Sequence, residues 1–425
     1  TRQQILELLS PIALHHPVNL LAAIGVVWSD WRKKSAPKPA TAVPSATEEQ
    51  VVLVELVSAI RAMPTDTLVQ TIKQVLKAPP FTIRDKDQPG LETSMLQFVY
   101  CYISRMSILS VRDSWQSLLS LLKEGQQLTL APPGQFLLLR ILNEIVHKIP
   151  AFEDRKDQKE LQEVTQRLVE ACNTIAGSSL EQSTWLRRNV SVKINTQEQT
   201  VTQTEAAESS SDLSSETDTA TPSGTPTNNA KNYSQYSVQA LNLLAELLAT
   251  LLDMVYGSDE KEKVVPLLIS IMHNVTPYLK NHSSHNTPSF RACTALLSSL
   301  SGYQYTRKSW KKDAFDLLLD PAFFQVDIVS IHNWLPVIDN LMTHDKTTFR
   351  DLMARVAAFQ NTSLNLFTSR EAEMDQRAQL LKRLSFTLFC SQTDQYVRFL
   401  PDIQERLAES LRQSPGPAVQ EQVFA

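Results

Sequence analysis

Glycine is the residue this chain does without. Nine of its 425 residues are glycine, about 2% where ~7% is usual. Glycine supplies the left-handed backbone of tight hairpins and the close approach that lets a loop cradle a phosphate. Its scarcity excludes Gly-rich nucleotide loops, hairpin-built barrels, collagen-like repeats and Gly-rich linkers. Helices remain, because their connections tolerate ordinary residues. A hydrophobic share of 42% is too high for a disordered chain. The length suits two or three domains, or one extended repeat structure with a sizeable core.

Charge narrows the partners. Lys+Arg 41 against Asp+Glu 45 leaves a formal net charge of −4. That balance carries no polyanion footprint, so nucleic acid is disfavoured and any phosphate or membrane contact must come from local basic clusters. Cys101, Cys172, Cys293 and Cys390 are far apart and sit in apolar helical contexts. They read as buried, reduced thiols of a cytosolic protein rather than disulfides or metal ligands. The chain opens at Thr1 inside an apolar pattern, and 419–425 resembles a helix cut short, so it reads as a piece of a longer protein. No stretch looks long and apolar enough to span a membrane: 20–27 (LLAAIGVV) is too short. Nothing resembles a cleavable signal.

Helical periodicity fills the rest. Over 50–63, Leu53, Leu56 and Ile60 interleave with Val51, Val54 and Val57 at three- and four-residue steps. Thr47-Glu48-Glu49-Gln50 before them has capping-box spacing, and Pro64 ends the run. The pattern recurs over 66–77 and predicts helices over 93–110, 111–123, 135–148 and 156–175, the last closed by Gly177 as a C-terminal cap. Residues 190–194 alternate, too briefly for a sheet. Val238, Leu241, Ala245, Leu248, Leu252 and Val255 form a heptad-like seam, read first as a buried helix and second as a partner or self-association helix. Helices are then predicted over 259–280 (kinked at Pro266 and Pro277), 289–301, 306–319, 329–343, 347–359, 370–389 and 395–411.

These helices sort into regions. N-terminal helices occupy 1–34, a flexible linker 35–46, a first helical block 47–194 and a second 236–425, truncated at its C-terminus. Between the blocks, 195–235 is Ser/Thr-rich and acidic with almost nothing apolar, and is expected to be disordered. The fold class predicted is all-α: an irregular α-solenoid of HEAT- or armadillo-like helical pairs, without a clean sequence period.

Specific blocks then carry a resemblance. Ala176-Gly177-Ser178-Ser179-Leu180-Glu181-Gln182-Ser183-Thr184-Trp185-Leu186, Asp253-Met254-Val255-Tyr256 and Pro288-Ser289-Phe290-Arg291-Ala292 resemble the C-terminal region of the Dopey family. So do Leu319-Asp320-Pro321-Ala322-Phe323-Phe324-Gln325 and Leu400-Pro401-Asp402-Ile403-Gln404-Glu405-Arg406-Leu407. The likeness covers most of the chain outside the two polar linkers. It implies a very large, non-enzymatic scaffold or adaptor on the cytosolic face of Golgi (trans-Golgi network) and endosomal membranes, peripherally attached and partly cytosolic. Such a protein works in endosome-to-Golgi vesicle traffic with a large Sec7-related scaffold partner. Phospholipid flippases, kinesin light chain and phosphoinositide lipids are further partners the resemblance implies. The alternative kept beside it is a lipid-binding or lipid-transfer helical module.

Candidate contact residues are few. Arg307, Lys308, Lys311 and Lys312 crowd one helix start around Trp310, with Lys308/Lys312 and Arg307/Lys311 each four apart on a face. Such a patch suits anionic headgroups or an acidic partner, with the tryptophan at the interface; alternatively the tryptophan packs inward. Trp31-Arg32-Lys33-Lys34 with Lys38 is a weaker patch of the same kind. Phe323-Phe324 is a docking motif or, more in keeping with the usual burial of Phe, a plug between helices. His282-Ser283-Ser284-His285 and His15-His16 lack the third and fourth ligands of a metal site, so no metal or cofactor is expected. No nucleophile elbow, phosphate cradle or paired-carboxylate motif suggests catalysis.

Overall fold

The computed structural model describes residues 2–34, 43, 45–80, 90–149, 152, 154–201, 228–361, 370–392, 394–413 and 416–424. Among them stand eighteen α-helices and no strand. They are α1 (Arg2–His15), α2 (Pro17–Lys34), α3 (Glu48–Ser58), α4 (Thr65–Lys77), α5 (Leu91–Arg105), α6 (Ile108–Asp113), α7 (Trp115–Gln127), α8 (Pro132–Lys148) and α9 (Arg155–Val201). There follow α10 (Asn228–Val255), α11 (Val265–Leu279), α12 (Thr287–Ser301), α13 (Arg307–Leu318), α14 (Ile328–Thr343), α15 (Lys346–Asn361), α16 (Arg370–Cys390), α17 (Leu400–Gln413) and α18 (Pro417–Phe424). Residues 202–227, the middle of the expected acidic linker, and most of 35–46 lie outside the described residues.

Local chemistry explains some boundaries. Thr47 caps α3 as its spacing predicts: its Oγ1 accepts from Gln50 N at 3.3 Å, and Gln50 Oε1 accepts from Thr47 N at 2.9 Å. Several boundaries differ from expectation. Gly177 does not end a helix; α9 runs through it, and through 190–194, to Val201. One glycine costs only ~1 kcal/mol inside a helix that is already nucleated. The single helix expected over 259–280 is instead a 3-10 turn, Lys261–Val264, followed by α11. Pro266 sits in the first turn of α11, where its missing N–H has no partner to lose.

The chain divides into two compact units, 1–142 with 167–240 and 143–166 with 241–425. In the first, α2 packs on α4 and α5, α3 on α5, and α4 on α7. Trp28 is fully buried there; its Nε1–H donates to Gln97 Oε1 at 3.2 Å and its ring meets Phe98 edge-on at 5.6 Å. Gly25 lets α2 approach α5: a Cβ there would lie 2.6 Å from Met95 Sδ and 2.7 Å from Leu91 Cδ1. In the second unit, from α11 onward, each helix packs on the next, on the one after it, or on both. Thus α12, α14, α16 and α18 pack in succession, α11 lies against α13 and α15 against α17. That is the connectivity of a solenoid of helical pairs. Val419, fully buried, seats α18 against Val356, Ala378 and Leu381.

By length and composition Gln235–Val255 does meet the requirement for crossing a membrane, contrary to the sequence reading. Only Glu246 and Asp253 are charged within it, and they interrupt the run without making it polar. Of the seam, Leu241, Leu248, Leu252 and Val255 are buried in protein and Val238 and Ala245 are half-buried, as in a core helix.

Two consequences can be measured. Gly25→Val forces side chains into fully buried Met95 and is expected to destabilise the protein by about 1–3 kcal/mol in urea unfolding. Glu124, on α7, binds Lys73 at 2.5 Å and Lys77 at 2.6 Å, both from α4. Burial pushes its carboxyl up, but hydrogen bonds from Lys73, Lys77 and Ser120 outweigh that and lower it from 4.5 to about 2. A depressed carboxyl contributes stability in full above its unfolded value and loses it as pH falls through the folded one. Glu124→Gln is therefore expected to flatten the decline in urea midpoint between pH 4.5 and about 2.

Candidate functional site

The basic helix start at α13 is built around Thr306. Its hydroxyl lies 2.6 Å from the Leu300 carbonyl and 2.7 Å from that of Tyr303, and accepts from Trp310 Nε1–H at 3.0 Å. A buried indole N–H needs such a partner. Trp310 has no exposed surface. The expectation of a tryptophan at a membrane interface is corrected: Trp310 is core, and its inward face is what leaves the cations outside.

Those cations are largely engaged. Arg307 donates to the carbonyls of Asn340 and Leu341, each at 3.1 Å, and stands 3.7 Å from Asp345. These carbonyls belong to the last turn of α14, the negative end of its dipole. Lys311 binds Asp345, which also accepts from Thr347 N at 2.9 Å and its hydroxyl at 2.7 Å, just inside α15. The hydrogen bonds from Lys311 and Thr347 hold the Asp345 carboxyl well below the usual carboxylate range. Arg307 and Lys311 thus join α13 to the junction of α14 and α15. Lys308 pairs with Glu262 at 2.8 Å, both exposed, a contact worth little in water. Lys312 is exposed.

Phe323 and Phe324 follow α13 in a turn where Asp320 Oδ1 accepts from Ala322 N at 2.8 Å. Phe323 is 3% exposed, edge-on to Trp334 at 5.1 Å and Phe386 at 5.7 Å. Phe324 meets Phe386 at 5.6 Å and lies under Lys382 at 4.6 Å. The pair plugs the space between α14 and α16, so the docking reading is corrected for Phe323, which has no surface to offer.

Sequence reasoning missed the residue that holds this corner. Arg383 of α16 is 2% exposed, and its guanidinium donates to Leu318 O (2.6 Å), Asp320 O (2.6 Å) and Gln379 O (2.7 Å). It closes the C-terminal end of α13. Nothing in Leu381-Lys382-Arg383-Leu384 distinguishes it from a solvated helix face.

The remaining candidates do not assemble. The His282 ring packs against Phe290, tilted, at 5.4 Å, while His285, His15 and His16 are exposed. No group of three metal-competent side chains occurs among the described residues. The side chains of Arg32, Lys33 and Lys34, and all of Lys38, lie outside them. A cavity of about 310 Å³ beside the start of α9 is lined by Arg155, Lys156, Lys159, Glu160 and Glu163, all charged residues. It does not supply the apolar groove of the lipid-transfer alternative. Removing the buried clamp should be costly: Arg383→Ala leaves three carbonyls without their cation, an expected loss of about 2–4 kcal/mol in chemical unfolding. Arg383→Lys should recover only part of it, since an ammonium cannot reproduce the planar fork.

Comparison with known proteins places this arrangement. Residues 98–425 match the family model described as DOP1 C-terminal. The whole chain aligns with Protein DOP1B of Mus musculus at 49% identity and with the Protein DOP1 homolog of Drosophila melanogaster at 46%, covering 18% and 16% of those proteins. Protein pad-1 of Caenorhabditis elegans is 34% identical, with 21% of its length covered. The chain therefore spans about a sixth to a fifth of these relatives. A crystal structure of an engineered protein aligns at 11% identity over 89% of this chain and 98% of its own, with a TM-score of 0.20, and carries no argument. Sequence blocks, all-helical stacking and family match converge: the chain belongs to the Dopey (DOP1) family, as part of its C-terminal region.

Proposed function

We propose that this chain is a non-enzymatic scaffold segment in Golgi and endosome-to-Golgi membrane traffic. The observation that carries the reading is how the second unit uses its chemistry. Arg307 and Lys311, which look sticky in sequence, and Asp345 and Arg383, which no local pattern singles out, are engaged in joining helix ends. A stack of this kind offers surfaces to partners rather than a converging set of acids, bases and nucleophiles. Family membership supports the trafficking setting and the Sec7-related scaffold as principal partner. Flippase, kinesin light chain and phosphoinositides belong to the same proposal.

The geometry sharpens the membrane part. With Trp310 buried and two cations engaged, the α13 patch offers Lys308 and Lys312, one already paired with Glu262. At ~1 kcal/mol per cation near an anionic surface they supply about 2 kcal/mol. Micromolar attachment needs about 8 kcal/mol. The patch is at most an aid, and attachment to Golgi and endosomal membranes works through protein partners.

Point changes test this in the full-length protein. Lys308→Gln with Lys312→Gln should leave thermal unfolding unchanged and lower binding to phosphoinositide vesicles by no more than about thirtyfold. Co-capture of the Sec7-related scaffold should persist. Complete loss of vesicle binding would make the patch the membrane anchor, and failure to capture that scaffold with the unaltered protein would remove the proposed role.

A further inference from the structure

The first helix carries an apolar stripe that no other described residue covers. Ile5, Leu8 and Ile12 of α1 are 46%, 71% and 43% exposed. At 100° per residue the three fall within about 60° of one another. Leu9, half-buried, continues the stripe toward Leu6 and fully packed Ala13, which face the protein. Leu14 is exposed on a different side. The apolar sector of α1 is thus wider than the part its neighbours cover. In the second unit, helices such as α14 are packed by the helix two before and the helix two after. α1 has a face suited to such a neighbour.

Three occupants suit such a stripe, and size and charge separate them. A 14-residue helix is ~21 Å long. One side of it falls well short of the ~800 Å² per partner that a stable complex between separate molecules buries. A lipid surface would want cations flanking the stripe, and Arg2 is the only Lys or Arg in α1, opposed by Glu7. A helix of the same polypeptide is different. Tethering removes most of the association entropy, so a patch of this size suffices. The relatives have the chain length for such a helix: this chain covers only 16–18% of the fly and mouse proteins. Its matching model is the C-terminal one, so most of their length lies upstream of the matched region.

We propose that the Ile5–Leu8–Ile12 stripe is an intramolecular docking surface, which receives an amphipathic helix from the region immediately upstream in the full-length protein and so continues the stack. The proposal rests on family membership and exposure, not on the trafficking role. Its occupant carries apolar residues at three- and four-residue steps and packs along α1.

Photo-crosslinking in the full-length protein tests it. A benzophenone amino acid replaces Leu8 or, in a second variant, Ile12, and crosslinked peptides are identified by mass spectrometry. Crosslinks within one polypeptide to residues upstream of Thr1 are expected from both positions. Crosslinks to a second copy, to another protein or to lipid, or to residues within these 425, overturn the proposal, as does the absence of any crosslink. A milder variant guards against disruption by the bulky probe. The Leu8→Cys thiol should react with maleimide at least about tenfold more slowly than a Val52→Cys thiol in the same full-length protein. Val52 is 62% exposed on α3. Equal rates, or protection that grows with protein concentration, overturn the proposal equally.

Discussion

A protein made of short helices is a protein made of helix ends. Each helix leaves backbone carbonyls and N–H groups without intrahelical partners, and stacking buries many of them. In the second unit the solution is a side chain sent from one helix into the end of another. Arg383 of α16 closes α13, Arg307 of α13 closes α14, and Asp345 gathers Arg307, Lys311 and the start of α15. Thr306 does the same on a smaller scale, receiving Trp310 while it bonds the end of α12. The aromatic plug of Phe323, Trp334 and Phe386 then fills the space those contacts frame.

This internal use of charge changes how the surface reads. A cluster of four cations around a tryptophan suggests a membrane patch when only spacing is known. In the folded chain the tryptophan is the inward anchor and two of the cations are bonds between helices. What this cluster leaves to water is sparser: the two lysines Lys308 and Lys312.

Much of the fold was legible in the sequence, for identifiable reasons. Periodicity along one helix encodes burial, so the cores of α3, α4, α10 and α12 followed from three- and four-residue steps. The Thr47 capping box is complete within four residues, so its geometry was readable before any tertiary contact formed. Signals of single residues fared worse. Gly177 was expected to stop a helix that runs on, and Pro266 to bend a helix that it instead begins. Propensity at one position is worth about a kilocalorie, and packing along neighbouring turns outweighs it. Gly25, conspicuous only as a glycine in an apolar run, proved to be where two helices touch.

By itself the sequence determined the all-α class, the family and most of the buried faces, because each is written in local spacing or in contiguous blocks. Only the tertiary structure decided which charges are free. The partners of Arg383 lie as far as 65 residues away in the chain, and the carbonyls that Arg307 bonds 33 and 34 residues away. Whether a cation faces water or a helix end depends on how successive helices stack, and no local pattern records that.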